Sequence, residues 1–214
     1  MTYSVKEIYF TLQGEGAQTG RAAVFLRFSG CNLWSGREQH RAEAVCKFCD
    51  TDFVGTDGPG GGKFASAESL AEAITNAWPE KAVASPKYVV CTGGEPLLQL
   101  DTVAIDALHE ADFEIGVETN GTVAAPDGID WLCVSPKANA PVVQRSGSEL
   151  KLVYPQNEDA AQPCEFADLD FEYFFLQPCD DENLQANTRA AVDYCLQHPQ
   201  WRLSVQTHKI LGID

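Results

Sequence analysis

The sequence predicts an α/β fold of one domain, a partial barrel of about six parallel strands with three main helices. Two observations carry that reading. Apolar runs of strand length recur along the chain with helical patterns between several of them. The polar motifs stand directly after those runs, at the carboxyl ends where parallel sheets gather their sites. Size agrees, since 214 residues with 44% hydrophobic content suffice for one good core and are short for two ordinary domains.

Taken in order, strands are predicted over 24–28, 88–92, 113–119, 131–135, 149–153, 173–178 and 202–206. Ser66 caps a helix whose Leu70, Ile74 and Trp78 recur at spacing four, and Pro79 ends it. Asp101 caps a second helix with Val103, Ala104, Ala107 and Leu108 on one face. A third, over 182–197, places Leu184, Ala191, Val192, Cys195 and Leu196 inward and stops before Pro199. Only Gly121 to Asp130 joins the strands 113–119 and 131–135, too little for a full crossover helix. Three helices are too few for a complete eight-fold barrel, so an open, incomplete TIM-like barrel is expected. The glycine-rich stretch Gly55–Gly62 lacks the Lys-Ser/Thr of a phosphate loop and reads as a flexible connector.

The net charge of −16, with only 15 Lys and Arg, disfavours nucleic-acid binding, which rests on cations neutralising phosphates. A small-molecule substrate is expected instead. No apolar run approaches the ~20 residues that span a bilayer, and the amino terminus lacks a secretory signal. A soluble cytoplasmic protein is therefore expected. In that compartment eight cysteines point to metal ligands or reduced core thiols. Cys91, Cys133 and Cys195, inside apolar elements, read as core; Cys164 and Cys179 sit in loops and read as packed or surface thiols.

Cys31, Cys46 and Cys49 form C-x14-C-x2-C after the first predicted strand. Three thiolates are one fewer than a closed iron–sulfur site takes, so a four-iron cluster here keeps one iron open to a ligand. With His40 added, the same residues also suit a structural Cys3His zinc site, and the cysteines alone do not separate the two. The rim motifs shift the balance. Thr92-Gly93-Gly94-Glu95, Glu118-Thr119-Asn120, Ser135-Pro136-Lys137, Gln177-Pro178 and Gln206-Thr207-His208 each close a strand. Gly93 and Gly94 remove side chains where a bulky ligand comes close, and Glu95 offers an acceptor.

That succession resembles the radical S-adenosylmethionine (SAM) enzymes, whose usual spacing is C-x3-C-x2-C. The longer gap, with Phe10–Gly16, Arg27, Cys49-Asp50-Thr51 and Gln206–Lys209, resembles the 7-carboxy-7-deazaguanine synthases of queuosine synthesis. The resemblance runs from Phe10 to the carboxyl terminus, and residues 32–45 form an insert beside the cluster. It implies a carbon–nitrogen lyase that contracts 6-carboxy-5,6,7,8-tetrahydropterin to 7-carboxy-7-deazaguanine with loss of ammonia. The implied cofactors are a [4Fe-4S] cluster on the three cysteines, SAM, and a magnesium ion held by Thr51.

For SAM the matching residues are Phe48, Cys49, Asp50, Gly93, Gly94, Glu95, Glu118, Asn120, Ser135, Pro136, Lys137, Gln177, Pro178, Cys179 and Asp180. For the substrate they are Leu12, Gln13, Gly14, Glu15, Arg27, Thr92, His208 and Asp214. Arg27 carries the fork that suits a carboxylate, and a guanidinium in an apolar strand is costly to bury without a partner. No residue beyond the cluster and SAM is expected to act catalytically. A homodimer and an external one-electron donor such as flavodoxin or ferredoxin are the expected partners. A glycyl-radical activating enzyme and a non-enzymatic zinc module remain the alternatives.

Overall fold

The computed structural model describes residues 2–83, 86–156 and 158–213. Its nine strands form one sheet: β1 (Tyr3–Leu12), β2 (Ala22–Phe28), β3 (Gly62–Phe64), β4 (Lys87–Gly93), β5 (Phe113–Thr119), β6 (Trp131–Val134), β7 (Ser146–Tyr154), β8 (Asp170–Pro178) and β9 (Trp201–Leu203). The spatial order is β3-β1-β2-β4-β5-β6-β7-β8-β9. From β2 to β9 every pairing is parallel, whereas β1 runs antiparallel to both β2 and β3. The sheet therefore stays an open, partial barrel with an antiparallel edge.

Four α-helices accompany it: α1 (Ala67–Ala77), α2 (Thr102–Glu110), α3 (Leu184–Gln197) and the short α4 (Thr207–Leu211). Ser66 and Ser69 form a reciprocal capping box on α1, and the Asp101 carboxylate accepts from Ala104 N–H at the start of α2. Leu70, Ile74, Ile105 and Leu108 bury these helices against the sheet. On α2 the inward face is Ala104, Ile105 and Leu108, while Val103, predicted inward, is 57% exposed. On α3 Asn187 and Ala191 are buried; Leu184 and Leu196, predicted inward, lie on the surface. No helix separates β5 from β6, as the short connection required.

The two faces of the sheet differ in chemistry. Ile115 and Val117 of β5 and Leu150 and Leu152 of β7 face the helices, each fully buried and worth about 2 kcal/mol of apolar transfer. Their neighbours turn the other way, and that inner face carries Tyr88, Glu118, Glu149 and Lys151. A small apolar cluster of Ala23, Tyr88 and Val90, with Phe25 packed on it, shares that inner face with the charged groups.

Three expectations change. β1 was not predicted, because a register irregularity between Val5 and Glu7 breaks its alternation and buries Lys6. The glycine-rich connector is ordered against β1: Gly58 N–H donates to Lys6 O, Ile8 N–H donates to Pro59 O, and β3 begins at Gly62. The last strand ends at Leu203, so Gln206, Thr207 and His208 belong to the start of α4.

Candidate active site

At the carboxyl ends of the parallel strands lies a cleft of ≈ 550 Å³. Its floor is a charged cluster on the inner face. Lys151, with 4% of its side chain exposed, donates to Glu15 Oε2 at 2.5 Å and to Glu118 Oε2 at 3.1 Å. The other oxygens are also filled: Gln206 Nε2 donates to Glu15 Oε1 at 2.9 Å and Gln13 Nε2 to Glu118 Oε1 at 2.9 Å. Burial would raise the Glu15 carboxyl, but the Lys151 charge and these hydrogen bonds outweigh it and hold it at about 2. Burial lowers the Lys151 ammonium and the two carboxylates override it, keeping it charged well above its usual range.

Glu149, two residues earlier on the same face of β7, is buried and raised by desolvation; it accepts from Ala17 N–H at 2.8 Å and so fixes the β1–β2 loop.

The wall on β1 and β2 carries Arg27, with Leu12, Gln13, Gly14 and Thr92 also on the lining. Arg27 is not an unpaired cation. Its Nε donates to Glu7 Oε1 at 2.6 Å and its Nη2 to Tyr9 Oη at 2.9 Å. Gly14 sits under His208, where a Cβ would come within 2.2 Å of Nδ1. Its carbonyl accepts from Thr207 N–H and Thr207 Oγ1, both at 2.9 Å, so α4 is strapped to the β1–β2 loop. Lys209 completes the strap with Nζ 2.6 Å from Asp50 and 2.5 Å from Asp180.

The thiols lie on the loop that follows the carboxyl end of β2. Cys46 donates to the Cys49 sulfur, which pulls the Cys49 thiol down to about 6 and raises that of Cys46. Cys31 accepts from Leu33 N–H at 3.4 Å, and burial raises its thiol. The Lys137 ammonium favours the thiolate at Cys46 and Cys49, lies 5.8 Å from the Phe48 ring centre and donates to Ser135 Oγ at 2.7 Å. Two of these thiols line the cleft beside a cation, and with Cys31 they are the residues that would hold a cluster on three protein ligands.

Among the described residues no three His, Cys, Asp or Glu side chains are grouped to hold a single ion. Both ring nitrogens of exposed His40 are engaged, with Ser35 Oγ at 2.8 Å and Gln39 Nε2 at 3.1 Å.

Most expected ligand residues meet at this cleft. Phe48, Cys49, Asp50, Thr51, Gly93, Gly94, Glu118, Asn120, Ser135, Lys137, Gln177, Pro178, Cys179 and Asp180 all line it. Cys31, Glu95 and Pro136 do not, and Asp214 lies outside the described residues. Glu95 is fully buried with both oxygens committed, to Leu97 N–H, Thr119 Oγ1 and Asn120 N–H. It joins the ends of β4 and β5 and offers no free acceptor.

The glycines also serve differently from expectation. A Cβ on Gly93 would meet Phe28 O at 2.2 Å, and one on Gly94 would meet Gly30 O at 2.1 Å and Cys31 Cβ at 2.7 Å. Close approach of β2 demands the first, and close approach of the cysteine-bearing loop the second. Cys179 is buried at the rim and Cys164 exposed.

No family model matches the chain. Full-length relatives do: 7-carboxy-7-deazaguanine synthase of Caulobacter vibrioides is 68% identical over 213 residues, that of Bradyrhizobium diazoefficiens 64% and that of Bordetella pertussis 63%, each covering 100% of both chains. The chain belongs to the 7-carboxy-7-deazaguanine synthase family. Among solved structures, QueE from Escherichia coli superposes with a TM-score of 0.71 at 27% identity, covering 96% of this chain and 94% of that one. A synthase of this family is a radical SAM lyase, and the charged floor, the Arg27 wall and the thiol end are the parts it brings to one cleft.

Lys151, Tyr9, Glu7, Gln206 and Lys209 also line that cleft and were not among the expected site residues. One signal could have found Lys151: Glu149-Leu150-Lys151-Leu152 alternates, and in a barrel the polar phase points inward.

Proposed function

We infer that this chain carries out the ring contraction for which its family is named, converting 6-carboxy-5,6,7,8-tetrahydropterin to 7-carboxy-7-deazaguanine with release of ammonia. The observation that carries this reading is the polarity of one cleft: a guanidinium on β2, and carboxylates on β5, two strands away, and on the β1–β2 loop. A planar pterin has a carboxylate at one end and several N–H donors at the other.

Arg27, held by Glu7 and Tyr9, presents its remaining donors to the substrate carboxylate, and Thr51 supplies one hydroxyl to a magnesium ion beside it. Glu15, kept ionised by Lys151, accepts from the donor edge, and Gln13 and His208 flank it. Cys31, Cys46 and Cys49 hold the cluster, with SAM seated along Phe48–Asp50, Gly93–Gly94, Asn120, Ser135–Lys137 and Gln177–Asp180. When bound, the cluster and SAM supply hydrogen-atom abstraction at the substrate. The chain positions the reacting carbon, and the strap of α4 excludes water from it.

The electron arrives from a flavodoxin- or ferredoxin-type donor, and the protein works in the cytoplasm as a homodimer. Among the described residues, no helix is long and apolar enough to cross a membrane. The test is anaerobic purification, iron and sulfide reconstitution, and assay with the carboxylated tetrahydropterin, SAM and a reductant. Formation of 7-carboxy-7-deazaguanine with one ammonia per turnover is expected. A loaded enzyme that cleaves SAM but leaves the pterin intact would overturn the reading in favour of a protein substrate.

A further inference from the structure

The fourteen residues between Cys31 and Cys46 are not explained by the reaction itself, and Arg41 within them is unusually constrained for a surface arginine. It lies in the short 3-10 turn Glu38–Glu43. Its Nε is held by the Glu38 carboxylate at 2.7 and 2.8 Å. Its guanidinium lies 4.1 Å from the ring centre of Trp34, itself 8% exposed and edge-on to buried Phe53. So anchored, Nη1 donates to two main-chain carbonyls, Lys47 O at 2.9 Å and Cys49 O at 3.0 Å.

Those carbonyls belong to the segment that bears two of the three thiols. The only cis peptide bond among the described residues is Tyr154–Pro155, so the bonds after Lys47 and Cys49 are trans. In a trans peptide the N–H points opposite to the carbonyl. The groups opposite Lys47 O and Cys49 O are the N–H of Phe48 and of Asp50, and both residues line the cleft. Pinning the carbonyls outward therefore fixes two donors on the far side of the loop.

We propose that Arg41 is the positioning residue of the cysteine loop: the insert exists to set its guanidinium behind Lys47 and Cys49, leaving the Phe48 and Asp50 N–H groups aimed away from it and available to cluster sulfur and to SAM. This rests on the reading that Cys31, Cys46 and Cys49 hold a four-iron cluster. Donors to cluster sulfur tune how readily it accepts an electron, and partners behind a ligand segment govern how firmly metal is kept. A lysine cannot replace Arg41, because a single ammonium lacks the plane that stacks on Trp34 and the spread that spans Glu38 and both carbonyls.

The test compares anaerobically reconstituted full-length wild type with Arg41→Met, Arg41→Lys and Arg37→Met, the last removing an exposed charge from the same turn. Iron release to a chelator and the electron paramagnetic resonance spectrum of the reduced protein, with and without SAM, are the readouts. Arg41→Met is expected to load the cluster but to lose iron about tenfold faster, as when the partner behind a metal ligand is removed. Its SAM-induced spectral change should be diminished, with Arg41→Lys restoring it in part and Arg37→Met matching wild type. Wild-type retention and spectra in Arg41→Met overturn the proposal, as does an equal loss in Arg37→Met. If Arg41→Met fails to fold, Arg41→Lys decides: wild-type behaviour there overturns it. Wild type that takes up no four-iron cluster defeats the underlying reading instead.

Discussion

Lys151 is the residue on which the floor of the cleft turns. Breaking a buried ion pair leaves its partners charged and unsolvated, so Lys151→Met should cost about 3–5 kcal/mol of stability, seen as a lower denaturant midpoint. The pH response follows from the direction of the shifts. Glu15, ordinarily near 4.5, is held at about 2, so its share of stability is complete above 4.5 and is lost as pH falls towards 2. Lys151 is raised, so its share is complete below 10.5 and is lost only at higher pH. In Lys151→Met burial acts on Glu15 with its largest opposing charge removed, and an acid limb should appear in the pH profile of substrate binding nearer neutrality. A profile identical to wild type would detach Glu15 from the substrate.

Arg27→Lys keeps a charge but cannot serve Glu7, Tyr9 and a carboxylate together. Its KM for the pterin should rise by a factor equivalent to about 1–3 kcal/mol, with SAM affinity unchanged by calorimetry.

The motifs legible in the sequence were those that break an apolar run, such as Cys31 and Thr92-Gly93-Gly94. Lys151 and Glu7 were hidden because each sits inside a strand, where a charge reads as solvent-facing until the strand is known to curve round a cavity.

Elements explain the rest of what sequence could and could not disclose. The central parallel strands, α1 and α2 follow from periodicity and caps, because each buries an apolar face, whereas α3 has no side-chain cap and leaves Leu184 and Leu196 on the surface. β1 escaped because its irregular register and buried Lys6 violate a period of two; Lys6 pairs with Asp52 and Asp57 and thereby ties the cysteine loop to the edge of the sheet. β3 and α4, of three and five residues, are too short to carry any period and owe their form to what they pack on.

At the junction of β2 and β4 the glycines make a sharp prediction. Gly94→Ala places a methyl inside van der Waals distance of Gly30 O and Cys31 Cβ, a backbone overlap costing about 3 kcal/mol. Thermal midpoint and iron content should fall together. A variant that loses SAM affinity alone, with its iron intact, would return Gly94 to a role in ligand contact only.

For the whole molecule, the open barrel concentrates its chemistry where the strap of α4 crosses the cleft. Lys209 joins Asp50, next to Cys49, to Asp180 just past the end of β8, and lies 38% exposed in a reachable position. Lys209→Met should loosen that closure. Turnover should fall severalfold and SAM cleavage without product should rise, measured as deoxyadenosine formed per 7-carboxy-7-deazaguanine, since lids commit substrate and exclude water. An unchanged ratio would show that α4 is fixed by Thr207 and Gln206 alone.

The strap also has a history within each molecule. Thr207 meets Gly14 across 193 residues of sequence and Gln206 meets Glu15 across 191. Contacts so distant return energy only after the intervening chain has been ordered. The cysteine loop, by contrast, is translated within the first quarter of the chain. During synthesis the cysteine loop is therefore complete long before α4 can strap the cleft. Pulsed hydrogen exchange on refolding protein should show 204–213 as the last segment to gain protection.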